Sequence, residues 1–224
     1  NFQFAEDKGP TSHAVKPKEY VAIDNFYTTT IYEKGAELIR MLELLLGKEK
    51  FFKGINLYIK TFDGIAATTE DFINSLIKGA YLEEKNCPFD VNKFINWYYK
   101  SGTPKVYINQ SWDSENSILN VSFEQILNSE NFNENIEMVI PILYACYSKK
   151  EGTISLDEEN LFVLDKNKKN LQIHAIPGQK EAPVLSFFRG FSSPVVWESD
   201  LSLDDYLLLF LNDNDYFSRW ESGQ

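Results

Sequence analysis

The chain has 224 residues, of which 43% are apolar, 25% charged and 15% aromatic. That is globular composition, and it excludes a disordered tail, a collagen-like fibre and a disulfide-dense miniprotein. The formal charge of −11 is uneven, with 13 basic and 14 acidic side chains in residues 1–103 against 9 and 19 in residues 104–224; an acidic surface repels phosphate, which argues against nucleic acid and anionic membranes as partners.

The opening Asn1-Phe-Gln-Phe-Ala-Glu-Asp7 has neither the basic n-region nor the apolar stretch of a signal peptide, and no later apolar run reaches the ~18 residues of a membrane helix. With no initiator Met, the chain reads as a fragment or a processed product. Residues 1–103 read as helices. Thr30-Ile-Tyr-Glu33 has the spacing of a capping box, in which the Thr30 hydroxyl and Glu33 carboxylate satisfy orphan N–H groups. Behind it Ile31, Gly35, Leu38, Leu42 and Leu45 follow helical spacing, and Gly47 fits a C′ position. A second helix carries Phe51, Ile55, Tyr58 and Phe62 and stops at Asp63-Gly64. A third begins at Thr68 or Thr69 and buries Phe72, Ile73, Leu76 and Ile77. A fourth starts after Asp90, with Val91, Phe94, Ile95 and Tyr98 inward, and ends near Gly102.

From Pro104 the apolar period becomes two. Val106 and Ile108, then Ile118, Val121 and Phe123, predict a hairpin. Glu137–Tyr147 predicts a strand that Pro141 pushes to an edge or a bulge. Short strands follow at Leu161–Leu164, Leu171–Ile176, Val184–Phe188 and Val195–Trp197, and their spacing suggests a sandwich. Asn128–Asn135 reads as a surface loop. At Ser202 helical patterning returns, with Tyr206, Leu207, Phe210 and Leu211 on one face and a further helix from Tyr216.

Chemistry-bearing motifs are few. His13 and His174 are the two histidines, and neither has a second ligand at i+3 or i+4. There is no H-E-x-x-H helix, G-x-S-x-G elbow or P-loop. Cys87 and Cys146 sit in no C-x-x-C pattern and read as buried free thiols of a reducing compartment, although a lone disulfide or a Cys/His couple stays open on sequence. What remains is the polar-aromatic run Asp24–Gly35. Read alone, it is a loop and a capped helix start, and Tyr32, one position off the apolar stripe, is a core ring with its hydroxyl satisfied.

The same run, Asn25-Phe-Tyr-Thr-Thr-Thr-Ile-Tyr-Glu-Lys-Gly-Ala-Glu-Leu-Ile-Arg40, closely resembles the segment of zinc aminopeptidases of the aminopeptidase N type, a gluzincin family, that follows their metal-binding helices. Phe4-Ala-Glu-Asp-Lys-Gly-Pro10, Ser101-Gly-Thr-Pro104, Phe188-Arg-Gly-Phe-Ser-Ser-Pro-Val195 and Asn214-Asp-Tyr-Phe-Ser-Arg-Trp-Glu221 extend the likeness along essentially the whole chain. Within that family the chain resembles the cytosolic alanyl aminopeptidases of bacteria and apicomplexan parasites.

The resemblance implies an α + β multidomain protein. It places the helical second half of a thermolysin-like catalytic domain at 1–103, a small β-sandwich at 104–198 and the start of an all-α domain at 199–224. It implies hydrolysis of N-terminal residues from peptides with a free N-terminus, one zinc ion whose ligands and general base lie upstream of this chain, and a cytoplasmic location. Of the family's catalytic residues one carries over, Tyr32, whose phenol donates to the oxyanion of the tetrahedral intermediate. Tyr27 matches a tyrosine that lines the pocket for the substrate's first side chain. Asp24 stands where the family often has Asn and receives no role, and His13 matches a structural histidine. The isolated chain is expected to be inactive, to hold no zinc, and to self-associate through surface that the remaining domains would cover. The rival is a non-catalytic interaction module on the same scaffold, because fold likeness alone does not carry function. A related zinc epoxide hydrolase is a third reading, disfavoured by the Gly102-Thr-Pro104 junction leading into a sandwich.

Overall fold

The computed structural model describes residues 2–19, 22–81, 87–127, 136–149, 159–175 and 178–224. The Asn-rich loop expected at 128–135 and the Ile176 end of one expected strand lie outside these residues. Among the described residues no helix is long and apolar enough to cross a membrane.

Helix α1 (Phe2–Lys8) leads through an irregular segment and a short 3-10 turn (Ile23–Phe26) to a π-helical turn (Thr30–Lys34), which runs directly into α2 (Gly35–Leu46). Helices α3 (Lys48–Phe62), α4 (Thr69–Ala80) and α5 (Val91–Tyr99) complete the helical part. Gly47 separates α2 from α3 at φ 78°, a conformation that favours glycine. Thr68 and Asp71 form the capping box of α4, and Asp90 accepts from the amides of Asn92 and Lys93 at the start of α5. The buried faces carry Leu38, Met41, Leu42 and Leu45 on α2, Ile73, Leu76 and Ile77 on α4, and Phe94, Trp97 and Tyr98 on α5.

Helices α3 and α4 meet backbone to backbone. A Cβ on Gly54 would stand 2.5 Å from Leu76 Cα, and one on Gly79 would stand 2.6 Å from Gly54 Cα. Backbone atoms at such a crossing cannot retreat without parting the helices. Gly79→Ala is expected to cost at least the ~1–3 kcal/mol of an overpacked core, and a lowered melting temperature of the parent protein would register it.

Among the described residues, seven strands form two sheets. One has the order β5-β2-β1-β7 and the other β4-β3-β6, for β1 (Lys105–Asp113), β2 (Ile118–Ile126), β3 (Ile140–Tyr147), β4 (Asn160–Leu164), β5 (Lys168–His174), β6 (Val184–Phe187) and β7 (Val196–Ser199). The β1–β2 pair is the expected hairpin, and β7 joins β1 in parallel. Phe123 of β2 faces Phe162 of β4 at 4.8 Å and Phe187 of β6 at 6.0 Å between ring centroids, so aromatic rings tie the two sheets together. Cys146 is buried and Cys87 half-buried; both are free thiols, and burial pushes Cys146 up to about 12.

Three strand expectations are corrected. The strand expected from Glu137 begins at Ile140. Upstream of it, side chains occupy the backbone groups a ladder would use: Gln125 Oε1 accepts from Met138 N, Trp97 Nε1 donates to Val139 O, and Asn96 Nδ2 donates to Glu137 O. Pro141 does not force β3 to an edge, because β3 is the central strand of its sheet. The proline is tolerated because β6 pairs with Tyr144–Tyr147 alone; beside Pro141 its place is taken by Ser193, whose hydroxyl donates to Pro141 O at 2.5 Å. Strand β5 begins at Lys168 rather than Leu171, since it follows β2 from Glu124↔Lys168 to Ile118↔His174 along an outer edge where lysines are at home.

Helices α6 (Leu203–Asn212) and α7 (Tyr216–Ser222) follow the sandwich, α6 with a Ser202–Asp205 capping box. The inward face of α6 is not the one expected. Asp205 and Leu209 are buried, whereas Leu207, Phe210 and Leu211 are exposed. The segment is apolar on more than one side, and the sandwich covers only one of them.

These two helices are held by a turn in unusual backbone. Phe188, Gly190 and Phe191 all have φ between 51° and 57°, a region that bulky residues rarely enter. Between them Arg189 points inward, donating to Asp213 Oδ1 at 2.6 Å, Asn214 Oδ1 at 2.5 Å and Glu159 Oε1 at 2.8 Å. The Tyr147 phenol also donates to Asp213, and Gly190 N donates to Asp215, the cap of α7.

Candidate functional site

Tyr27 and Tyr32, the two residues singled out in the sequence, come together. Their rings stack with centroids 6.1 Å apart and planes 22° from parallel. Both are at the surface, Tyr27 68% and Tyr32 58% exposed. The expectation from burial statistics that Tyr32 is a core ring is therefore overturned. The phenol stands on the solvent side of its turn because the opposite side is filled by Thr30 and Lys34, both fully buried.

The turn itself is wide. Gly35 N donates to Thr30 O, five residues back, which is the π pattern. The capping box expected at Thr30 and Glu33 does not form. Thr30 lies inside the turn, Glu33 is exposed, and a cap-like bond runs instead from Ile31 N to Thr28 Oγ1 at 3.2 Å.

Two consecutive carboxylates of α1 anchor the turn from below, one at each end. Glu6 Oε1 accepts from Thr30 N at 3.0 Å and from Thr30 Oγ1 at 2.5 Å. Asp7 Oδ2 accepts from Lys34 Nζ at 2.8 Å, from Thr103 Oγ1 at 3.0 Å and from Gln3 Nε2 at 2.9 Å. Lys34 Nζ also donates to Gly102 O at 2.9 Å, tying the end of the turn to the segment that enters β1. Burial raises the Glu6 pKa, but the two Thr30 donors and His13 outweigh it and hold the carboxyl below its ordinary value. Burial dominates at Lys34 and lowers its pKa, with Asp7 opposing only in part.

His13 takes a structural place beside this anchor. Its Nδ1 donates to Ala14 O at 2.8 Å and its Nε2 stands 3.5 Å from Glu6 Oε1. The same segment is pinned at Lys16, whose N donates to Tyr98 O and whose Nζ meets Glu70 Oε2 at 2.8 Å and the Tyr99 phenol. The Lys16 ammonium and the Tyr99 hydroxyl together hold Glu70 at about 2. Asp24 is exposed in the 3-10 turn, where its backbone carbonyl accepts from Tyr27 N.

Glu6, Asp7, Thr30 and Lys34 escaped the sequence reading as parts of this site. The adjacent acids of Phe4-Ala-Glu-Asp7, and a lysine just ahead of an apolar helix, were the available signals. Neither says which distant group it meets. Among the described residues no group of three or more His, Cys, Asp and Glu side chains converges on a point where a metal ion could sit.

Residues 1–98 match the Peptidase family M1 domain, and residues 102–200 match a domain of unknown function, DUF3458, described as an Ig-like fold. The chain belongs to peptidase family M1. It is 40% identical over 222 residues to an aminopeptidase N of Caulobacter vibrioides, an alignment covering 99% of this chain and 24% of that protein. It is 31% identical to the aminopeptidase N of Escherichia coli, over 99% of this chain and 25% of that one. A crystal structure of Legionella pneumophila aminopeptidase A, in complex with aspartic acid, superposes with a TM-score of 0.81 at 26% identity, covering 93% of this chain and 22% of the other. The M1 relatives bear out the α + β multidomain class and the sequence resemblance. The chain spans about a quarter of the length of the curated relatives it matches.

Proposed function

We propose that this chain is the part of an M1 aminopeptidase that supplies the oxyanion donor and one wall of the pocket for the substrate's first side chain. The observation that carries the reading is the stacked, exposed pair of Tyr27, just ahead of a π turn, and Tyr32, on that turn, which is anchored at both ends. Tyr32 is the donor: a phenol is neutral at pH 7, and its hydrogen bond strengthens as negative charge gathers on the carbonyl oxygen of the scissile bond. Tyr27 offers its ring face to the side chain that precedes that bond, favouring apolar or long side chains by contact.

The activity of the whole protein is then release of neutral or basic N-terminal residues from peptides with a free N-terminus. The zinc that the family implies belongs with ligands outside this chain. Support for three units at 1–103, 104–198 and 199–224 comes from α5 ending at Tyr99, β1 starting at Lys105 and α6 starting at Leu203. Two free thiols fit a cytoplasmic location. Exposed Ile23, Ile59, Ile65, Leu203, Leu207 and Leu211 favour self-association of the isolated chain.

The test uses a peptide and its Nα-acetylated twin. The intact parent should release the first residue of the free peptide and leave the acetylated one whole, while the 224-residue chain alone releases nothing. Cleavage of both peptides alike, or turnover by the isolated chain, would sink the reading.

A further inference from the structure

The π turn beneath Tyr32 has its first residue held from outside its own helix. Thr30, fully buried, gives both its backbone N–H and its hydroxyl to a single oxygen of Glu6, a residue 24 positions earlier on α1. In a regular helix a threonine at such a position sends its hydroxyl back to the preceding turn. Here both donors leave the helix. The backbone ladder here is mixed, since Tyr32 N donates to Thr28 O, four residues back, while Gly35 N donates to Thr30 O, five back, and the bonds from Thr30 to Glu6 add a tie from outside the helix. Glu6 holds the turn two residues before Tyr32, as Asp7 holds it through Lys34 two residues after.

We infer that Glu6 is a positioning residue for Tyr32: by clamping both donors of Thr30 it sets the height and direction of the phenol. The inference rests on the reading of Tyr32 as oxyanion donor and adds to it a residue that touches no substrate. The physical demand is tight tolerance. A donor works when it is held within about 0.5 Å of where the oxyanion forms, and a misplacement of about 1 Å can cost on the order of 100-fold in rate. An exposed ring on an unclamped π turn would not meet that tolerance. Asp7 is a different case. Its oxygen also holds Gln3, Thr103 and the buried Lys34, so removing it would disturb the junction with the sandwich as well as the turn.

The experiment is a double-mutant cycle in the intact parent, reading kcat and KM on an amino-acid arylamide. Glu6→Ala should lower kcat by roughly 10- to 100-fold, with KM close to that of the unaltered enzyme. Glu6→Gln keeps an oxygen that can accept both Thr30 donors and should retain most of the turnover. In a Tyr32→Phe background, Glu6→Ala should bring almost no further loss, because the group it aims is already gone. A Glu6 that merely stabilised the fold would lower kcat equally in both backgrounds. If Glu6→Ala does not fold, Thr30→Val carries the same cycle, since it deletes the hydroxyl while keeping the buried volume. A silent Glu6→Ala, or a loss that persists undiminished without the Tyr32 hydroxyl, overturns the positioning role while leaving the donor role of Tyr32 intact. A silent Tyr32→Phe overturns the donor reading and this inference with it.

Discussion

Tyr32→Phe in the intact parent is expected to cut kcat by on the order of 10²–10³ and to leave KM nearly unchanged, the pattern for loss of one oxyanion donor. The change removes a single oxygen. Tyr32 is more than half exposed, its ring packs on Tyr27, and the buried ties of its turn belong to Thr30 and Lys34. Phenylalanine keeps the ring and leaves every one of those ties in place, so neither the fold nor ground-state binding should suffer. A donor aimed at a charge that exists only as the reaction proceeds shows itself in kcat. Steady-state kinetics with one arylamide substrate would decide it. An unchanged turnover number removes Tyr32 from the chemistry, and a raised KM with kcat preserved would make it a binding residue instead.

The second large effect concerns the joint between the sandwich and α6–α7. Arg189→Leu should destabilise that joint by about 3–5 kcal/mol, the range for stripping one partner from a buried ion pair. Asp213 is the reason. Its side chain is fully buried, and among the described residues Arg189 Nη1 supplies its one cationic contact, at 2.6 Å. Without the guanidinium, a carboxylate is left inside the protein with the Tyr147 phenol and the Asp215 amide as donors. Replacing Asp213 by Asn in the same molecule removes the stranded charge and should recover part of the loss. Hydrogen exchange of the amides in Leu203–Ser222 reads this region directly, and the single variant should lose protection there first. Protection equal to that of the unaltered protein would show that the pair contributes little.

What could be read from the sequence divides by distance along the chain. The face of α4, the starts of α4 and α5 and the β1–β2 hairpin were legible because each is decided by neighbours within a turn or across a tight loop. The site residues Tyr27 and Tyr32 were legible as types in a motif, whereas their stacking depends on how the bend at Tyr27 leads into the π turn that holds Tyr32. Thr30 was misread because its local spacing to Glu33 fits a cap, while its actual partner lies on another helix. Lys34 shows the same limit. A lysine carries no sequence mark that it will sink to 1% exposure against an aspartate 27 residues away. At α6 the misreading had another source: Leu203–Asn212 offers more apolar faces than the sandwich can bury, so periodicity alone could not choose among them.

The winding of residues 30–34 makes their number matter as much as their identity. Tyr27 lies just ahead of the wide turn and Tyr32 within it, so the winding of the turn sets how the chain carrying Tyr27 is directed relative to the Tyr32 ring. Deleting one residue from this stretch would let it relax to ordinary winding and would swing everything ahead of it, Tyr27 included, around the axis of α2. The two rings would then look in different directions, with both tyrosines still encoded and α2 still seated. A one-residue gap here should therefore be more damaging than most exchanges of its side chains.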